Sequence, residues 1–146
     1  MRYKLYILFF AFALISCKQQ SQENQEKTQT KHPDQSATSQ NSLDWGGTYH
    51  GELPCADCTF ILTSISINYD ESYVLKTKYV GSEDEKEFVQ RGKFEWIDGM
   101  YIELQGINQK EQPTLYKVEE NRLRQLDLEG NPIEGKLADK YLLFKE

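Results

Sequence analysis

The rhythm of apolar and polar residues changes three times along the chain. An apolar run from Leu5 to Ile15 opens it, and the stretch from Lys18 to about Ser42 then holds almost no aliphatic residue. From Leu43 onward apolar and polar positions alternate, and alternation with a period of two marks strands with one buried face. Tyr73-Val74-Leu75-Lys76-Thr77-Lys78-Tyr79 carries aromatic and aliphatic side chains on one face and Lys76 and Lys78 on the other. The segment from Phe88 to Trp96 repeats the pattern, with Gly92 expected at a bulge or bend. Met100, Ile102 and Leu104 alternate with Tyr101 and Glu103, which predicts a core position for Met100. Turn residues punctuate these runs at Asn68-Tyr69-Asp70, Gly81-Ser82-Glu83-Asp84, Asp98-Gly99 and Glu129-Gly130-Asn131-Pro132. The pattern predicts strands at 47–53, 59–67, 72–80, 86–96, 99–105, 114–119, 122–127 and 140–145, with no long helix and no internal repeat. Short strands at regular spacing give an all-β sandwich or barrel. Closure removes exposed strand edges, so a small antiparallel up-and-down barrel is the expected fold.

The segments before the domain predict its address. Arg2 and Lys4 precede the apolar run, which is the order of an export signal. The run is much shorter than the roughly 20 residues a membrane-spanning helix needs. Leu14-Ile15-Ser16-Cys17 resembles a bacterial lipobox, in which a peptidase cuts before the cysteine and its thiol takes up diacylglycerol. Residues 1–16 are therefore expected to be a lipoprotein signal peptide, and Cys17 the lipidated residue that ties the protein to a membrane. Each buried methylene contributes about 0.8 kcal/mol, and one acyl chain binds only marginally, so the anchor needs the two or three chains such a cysteine carries. Residues 17–42 read as the lipidated cysteine and a flexible polar tether, because they offer too little apolar surface to offset the entropy of ordering them. A coil of this length averages about 25–30 Å end to end. His32 falls in the tether and is expected to be solvated. Lys18 follows Cys17 where an Asp would favour inner-membrane retention in enteric bacteria, so the outer membrane is the expected location, with the exposed face open.

Residues 43–146 remain as one folded domain, large enough to bury about two-thirds of its unfolded surface without metal or disulfide. The chain has 17 basic and 23 acidic residues and a net charge of −6, which argues against nucleic acid as a partner. It holds no Ser/His/Asp set, no phosphate-cradling glycine loop and no metalloprotease helix. With His50 the sole histidine of the domain, general-base chemistry is poorly provided for, and the protein reads as non-enzymatic. Glu83, Asp84, Glu85 and Glu87 with Lys86 match no calcium loop and read as a solvated hairpin tip. Glu119 and Glu120 with Arg122 and Arg124 read as polar strand faces around a turn at Asn121. Tyr49, Phe60, Tyr73, Tyr79, Phe88, Phe94 and Trp96 are expected to fill the barrel. The alternative is that they line a cavity for one small apolar ligand.

One motif carries chemistry: Gly51-Glu52-Leu53-Pro54-Cys55-Ala56-Asp57-Cys58, at the turn between the first two strands. Pro54 favours an extended Leu53, as at a strand end. Three readings of Cys55 and Cys58 follow. In an oxidising envelope they form a local disulfide, since residues at i and i+3 of a turn lie within bridging distance. Reduced, they offer two soft thiolates to Cu(I), alone or with His50 or Met100; no cofactor is otherwise required. A thiol–disulfide oxidoreductase is disfavoured, because Thr59-Phe60-Ile61-Leu62-Thr63 reads as strand instead of the helix that lowers a reactive thiol's pKa. Asp57 would raise a neighbouring thiol's pKa, and its ordinary role is that of a turn residue.

The string Tyr49-His50-Gly51-Glu52-Leu53-Pro54-Cys55-Ala56-Asp57-Cys58 resembles the N-terminal domain of the NlpE copper-resistance lipoproteins. The resemblance continues through Tyr73-Val74-Leu75, Tyr79-Val80-Gly81, Gly92-Lys93-Phe94-Glu95-Trp96, Ile102-Glu103-Leu104 and Leu123-Arg124-Gln125-Leu126-Asp127 to Tyr141-Leu142-Leu143. It implies a lipocalin-like barrel at the outer membrane and a role in copper homeostasis, envelope stress or surface sensing, with an envelope-stress signalling protein as partner. The best-known members carry a second, C-terminal domain with its own cysteines, and this sequence stops after the first. Signalling placed in that second domain is not carried over. The alternative to the sensing role is a lipocalin-like binding or interaction module in which the cysteine pair is only a structural disulfide.

Overall fold

The computed structural model describes residues 37–83 and 85–146. The expected signal peptide, Cys17 and His32 lie outside the described residues, as does Asp84. Eight strands run in chain order around a closed antiparallel barrel. They are β1 (Gly47–Leu53), β2 (Phe60–Ile67), β3 (Ser72–Val80), β4 (Glu87–Ile97), β5 (Tyr101–Leu104), β6 (Leu115–Glu119), β7 (Arg122–Gln125) and β8 (Leu142–Lys145). The all-β, up-and-down barrel read from the alternation is the fold observed, with strand ends displaced by a residue or two.

The register shows how the pattern becomes a wall with an inside. Tyr49 pairs with Ile65 across β1–β2, Ile65 with Leu75 across β2–β3, and Phe94 with Leu104 across β4–β5. Partners directly opposite point to the same face, and all five of these side chains are essentially fully buried. The ring closes where Tyr49 and His50 of β1 meet Lys145 and Phe144 of β8. At that seam a Cβ on Gly51 would lie 2.6 Å from the Leu142 carbonyl oxygen, so the close approach requires a residue with no side chain.

β4 serves two neighbours in succession. Glu87 to Lys93 pair with β3, and Phe94 to Ile97 pair with β5. The expected bend at Gly92 falls next to this change of partner. A Cβ there would stand 2.8 Å from the Tyr73 ring and 2.9 Å from the Gln105 carbonyl oxygen. The following hairpin turns on Asp98 and Gly99, both with positive φ (50° and 64°), the geometry that an Asp-Gly loop favours. Met100 closes that turn, its N–H bonded to the Ile97 carbonyl at 3.1 Å. The core position predicted for Met100 is therefore corrected: it has the inward phase of Ile102 and Leu104 but lies past the end of the wall, 40% exposed.

The two ends of the barrel differ. At the end holding the β2–β3 and β4–β5 turns, Trp45 lies over the core, its ring 5.3 Å from Trp96 and 5.9 Å from Phe94. Its indole N–H donates to the Gln40 carbonyl at 3.0 Å, and the Tyr49 hydroxyl donates to the Trp45 carbonyl at 2.6 Å. A short helix, α1 (Ser39–Ser42), sits beside it. Residues 39–42, which the sequence places at the end of the tether, are thus helical and bonded to the barrel. The Ser39 hydroxyl donates to the Val118 carbonyl at 2.7 Å, and the Gln40 N–H donates to the Gly99 carbonyl at 2.9 Å. The opposite end collects the β1–β2, β3–β4, β5–β6 and β7–β8 connections, the last including a 3₁₀ turn at Ala138–Tyr141.

Candidate functional site

Cys55 and Cys58 lie at the second, open end of the barrel, in the connection that leaves β1 after Leu53 and enters β2 at Phe60. Leu53 is buried and pairs with Ile61, so the connection is pinned at its base. The Thr59 N–H donates to the Val80 carbonyl at 2.9 Å and ties the loop to the end of β3. Between these anchors the Cα atoms of Cys55 and Cys58 are 5.3 Å apart, and the two sulfurs are bonded as a disulfide. Of the readings left open by the sequence, the structure takes the local bridge. The Cys58 sulfur rests 3.4 Å from the Phe60 carbonyl oxygen; a bridged sulfur has no hydrogen to donate, so this is packing alone.

The bridged pair does not fit a copper ion, since a disulfide presents no thiolate. Nor do the other sulfur and nitrogen donors converge on it. His50 faces outward from the middle of β1, 3.4 Å from the Glu146 carboxylate. Met100 is in the β4–β5 turn at the sealed end. Among the described residues, no three His, Cys, Asp or Glu side chains gather around a common point.

Beside the loop the rim of the barrel carries a groove of about 550 Å³, lined by Pro54, the disulfide, Ile61, Tyr79 and Phe88. Tyr79 and Phe88 meet edge to face at 5.9 Å, yet Phe88 remains 51% exposed. Ile61 and Tyr79 also border an inner cavity of about 380 Å³, reached from the same end and lined further by Leu53, Thr63, Thr77, Tyr116 and Gln125. Burial pushes the Tyr116 hydroxyl above its ordinary pKa, so it stays a neutral donor. Of the aromatic residues expected to fill the barrel, Tyr49, Tyr73 and Phe94 do so, and Trp96 packs against them. Tyr79 and Phe88 stand at the mouth, while Phe60 pairs with Val80 on the outward phase. The inward-pointing Thr63 and Gln125 were not singled out from sequence. Their polar side chains at buried positions of the alternation were the signal.

Outside the cavity, charged side chains pair on the barrel surface. Glu119 accepts from the Arg122 guanidinium at 2.6 Å and from Arg124 at 3.2 Å. Partial burial works to raise its pKa, and the two guanidiniums outweigh that and hold it below the ordinary carboxylate value. Glu85 bonds the Gly81 N–H and Lys78, which folds the acidic β3–β4 tip back on its own strand.

Comparison with known proteins agrees with this arrangement. Residues 49–136 match the family described as the NlpE N-terminal domain. Lipoprotein NlpE of Escherichia coli K12 is 32% identical over 90 residues, which cover 60% of this chain and 36% of that protein. The chain thus spans about a third of that relative's length. A solved structure from Shewanella oneidensis, described as a lipoprotein, is 45% identical. It covers 75% of this chain and 95% of its own, with a TM-score of 0.66. The crystal structure of the Cpx pathway activator NlpE from E. coli is 32% identical, with a TM-score of 0.50, covering 62% of this chain and 46% of that one. With the cysteine loop, the eight-stranded barrel and the family match over most of the folded region in agreement, the chain belongs to the NlpE N-terminal domain family.

Proposed function

We propose that this chain is a non-catalytic cell-envelope lipoprotein, held at the outer membrane by lipid on Cys17, that reports envelope stress or surface contact to a signalling partner. The observation that carries the reading is the placement of the family's Leu-Pro-Cys-Ala-Asp-Cys string. It forms the rim of the barrel's open end, with Phe88 exposed beside it at the mouth. A rigid barrel on a tether is suited to presenting such a rim away from the lipid surface. One relative in E. coli is a Cpx pathway activator, which makes an envelope-stress pathway of that type the signalling route to test. A copper role rests on the reduced cysteine pair, because only thiolates match the softness of Cu(I). In the oxidised protein the loop acts as a structural rim.

The test is a stress-pathway reporter in E. coli lacking its own NlpE and producing this chain with residues 1–17 included. Reporter activity should rise with the intact protein and fall with Cys17→Ala at equal abundance. No rise with correctly localised protein would overturn the signalling reading. A strain with Cys55→Ser and Cys58→Ser then separates the two roles. Unchanged copper tolerance with an intact reporter response assigns the pair to structure, and lost tolerance assigns it to copper.

A further inference from the structure

The inner cavity at the open end holds polar side chains to which the protein itself offers few partners. Thr63, Tyr116 and Gln125 are 1%, 2% and 8% exposed. Among the described residues, neither the Tyr116 hydroxyl nor the Gln125 amide has a hydrogen-bond partner in the protein, and the Thr63 hydroxyl reaches only the Ile61 carbonyl of its own strand at 3.4 Å. Among the described residues the one fully enclosed side-chain atom without a partner is the Trp96 indole nitrogen, so these groups keep contact with the space they line and are free to bond whatever occupies it. Here the three converge on one space of about 380 Å³, within the range of small-molecule sites, about 300–1,000 Å³.

The lining specifies what would fill it. Thr63 lies one inward position deeper than Ile61 and one short of the sealed core at Ile65, and Tyr116 and Gln125, paired across β6–β7, line the same space. Leu53, Ile61 and Tyr79 supply apolar surface on one side of the outer part, with Glu111, Gln112 and Pro113 also at its edge. Beyond Ile61 and Tyr79 the same apolar surface continues into the groove under the disulfide loop, past Pro54 and Phe88. Among the described residues no lysine or arginine lines the cavity, and the charged residue that does is Glu111. A carboxylate or phosphate head would meet no cation there, whereas a neutral hydroxyl or amide head finds groups that both donate and accept.

We propose that the open end of the barrel binds an uncharged monoacyl lipid. Its hydroxylated head is seated on Thr63, Tyr116 and Gln125, and its chain runs out past Ile61 and Tyr79 beneath the Cys55–Cys58 loop. This site is independent of the signalling reading and stands or falls by direct binding.

The experiment is isothermal titration of the mature chain, tether included and Cys17→Ser, with monodecanoylglycerol below its micelle concentration. Decanoate and decane serve as comparison ligands. Saturable one-to-one binding of the monoglyceride is expected, with decanoate weaker by about tenfold or more, the difference a buried, unpaired charge produces. Gln125→Leu and Thr63→Val, each checked for a native β-sheet spectrum, should each weaken the monoglyceride by about tenfold while leaving decane unaffected. Amide chemical-shift mapping on the unmutated barrel supplies a readout that no folding defect can confound. Shifts should concentrate at Thr63, Thr77, Tyr116 and Gln125. Absence of saturable binding would mean that the cavity is simply filled with water and would overturn the proposal. So would decanoate binding as tightly as the monoglyceride, or shifts confined to the outer wall.

Discussion

Replacing both Cys55 and Cys58 with serine should cost little stability and leave the barrel standing. The bridge joins residues three apart in sequence. Its entropic constraint on the unfolded chain, for a loop of about four residues, amounts to roughly 2 kcal/mol. The folded state limits it further, because β1 and β2 already pair from Gly47↔Ile67 to Leu53↔Ile61 and the Thr59 N–H is tied to Val80. Domains of this size are stable by about 5–15 kcal/mol, so the variant should remain folded. With an unfolding entropy of about 2.1 cal/mol/K per residue over roughly 110 residues, the melting temperature should drop by about 8–9 °C. Guanidinium unfolding followed by circular dichroism measures the change, and reductant added to the unmutated protein should reproduce it. Amide exchange should quicken in residues 54–59 and stay slow at Ile65 and Leu75, which are fully buried. A loss above about 4 kcal/mol, or loss of the β-sheet spectrum, would refute the view that this bridge shapes one loop and would make it a determinant of the whole fold.

Three further outcomes test the architecture. Trp45→Ala removes the 8%-exposed side chain that covers the sealed end and should cost about 3–5 kcal/mol in denaturant unfolding; a loss under 1 kcal/mol would mean that the core closes without it. Gly92→Ala forces a Cβ to within 2.9 Å of the backbone oxygen of Gln105 and should destabilise by about 1–3 kcal/mol, whereas a neutral effect would show that β4 bends freely there. Glu119→Gln should alter the acid limb. The folded pKa of Glu119 lies below its ordinary 4.5, so its stabilisation is complete above that value and is lost as pH falls through the folded one. The unmutated protein should therefore exceed the variant by about 0.5–1 kcal/mol at pH 7 and converge with it at strongly acidic pH. A constant gap across the titration would exclude the Arg122 and Arg124 pairing as its origin.

The strands were legible because one local rule, alternation, decides which side chains of a wall are buried, and every predicted strand overlaps an observed one. The departures occur where non-local contacts take over. Met100 keeps the phase of Ile102 and Leu104, but a period cannot show where a wall ends, and the turn at Asp98 and Gly99 leaves it in solvent. Residues 39–42 are polar throughout and carry no apolar stripe. Their helix is fixed by bonds to Val118 and Gly99, and by the bond from the Trp45 indole, none of which composition can express.

The site divides in the same way. The cysteine loop could be read at sight, because two thiols three residues apart at the end of a strand are a local feature with few outcomes. The cavity behind it could not, although its residues obey the rule that gave the strands. Along β2 the inward phase runs Ile61, Thr63, Ile65, Ile67, and along β7 it runs Leu123, Gln125. A threonine or glutamine on an inward phase is ambiguous in sequence: it can hydrogen-bond within a filled core, or face space. What decides is which end of the barrel the position occupies. At one end Trp45 lies over the inward side chains, and positions such as Ile67 and Phe94 are packed. At the other, Leu53 and Ile61 reach the mouth with no comparable plug above them among the described residues, and Thr63 and Gln125 are left facing the gap. Closing the cavity should therefore require a large side chain at the mouth and nothing at the sealed end. Leu53→Trp is expected to abolish ligand binding with the barrel intact, and retained binding in that variant would place the ligand elsewhere.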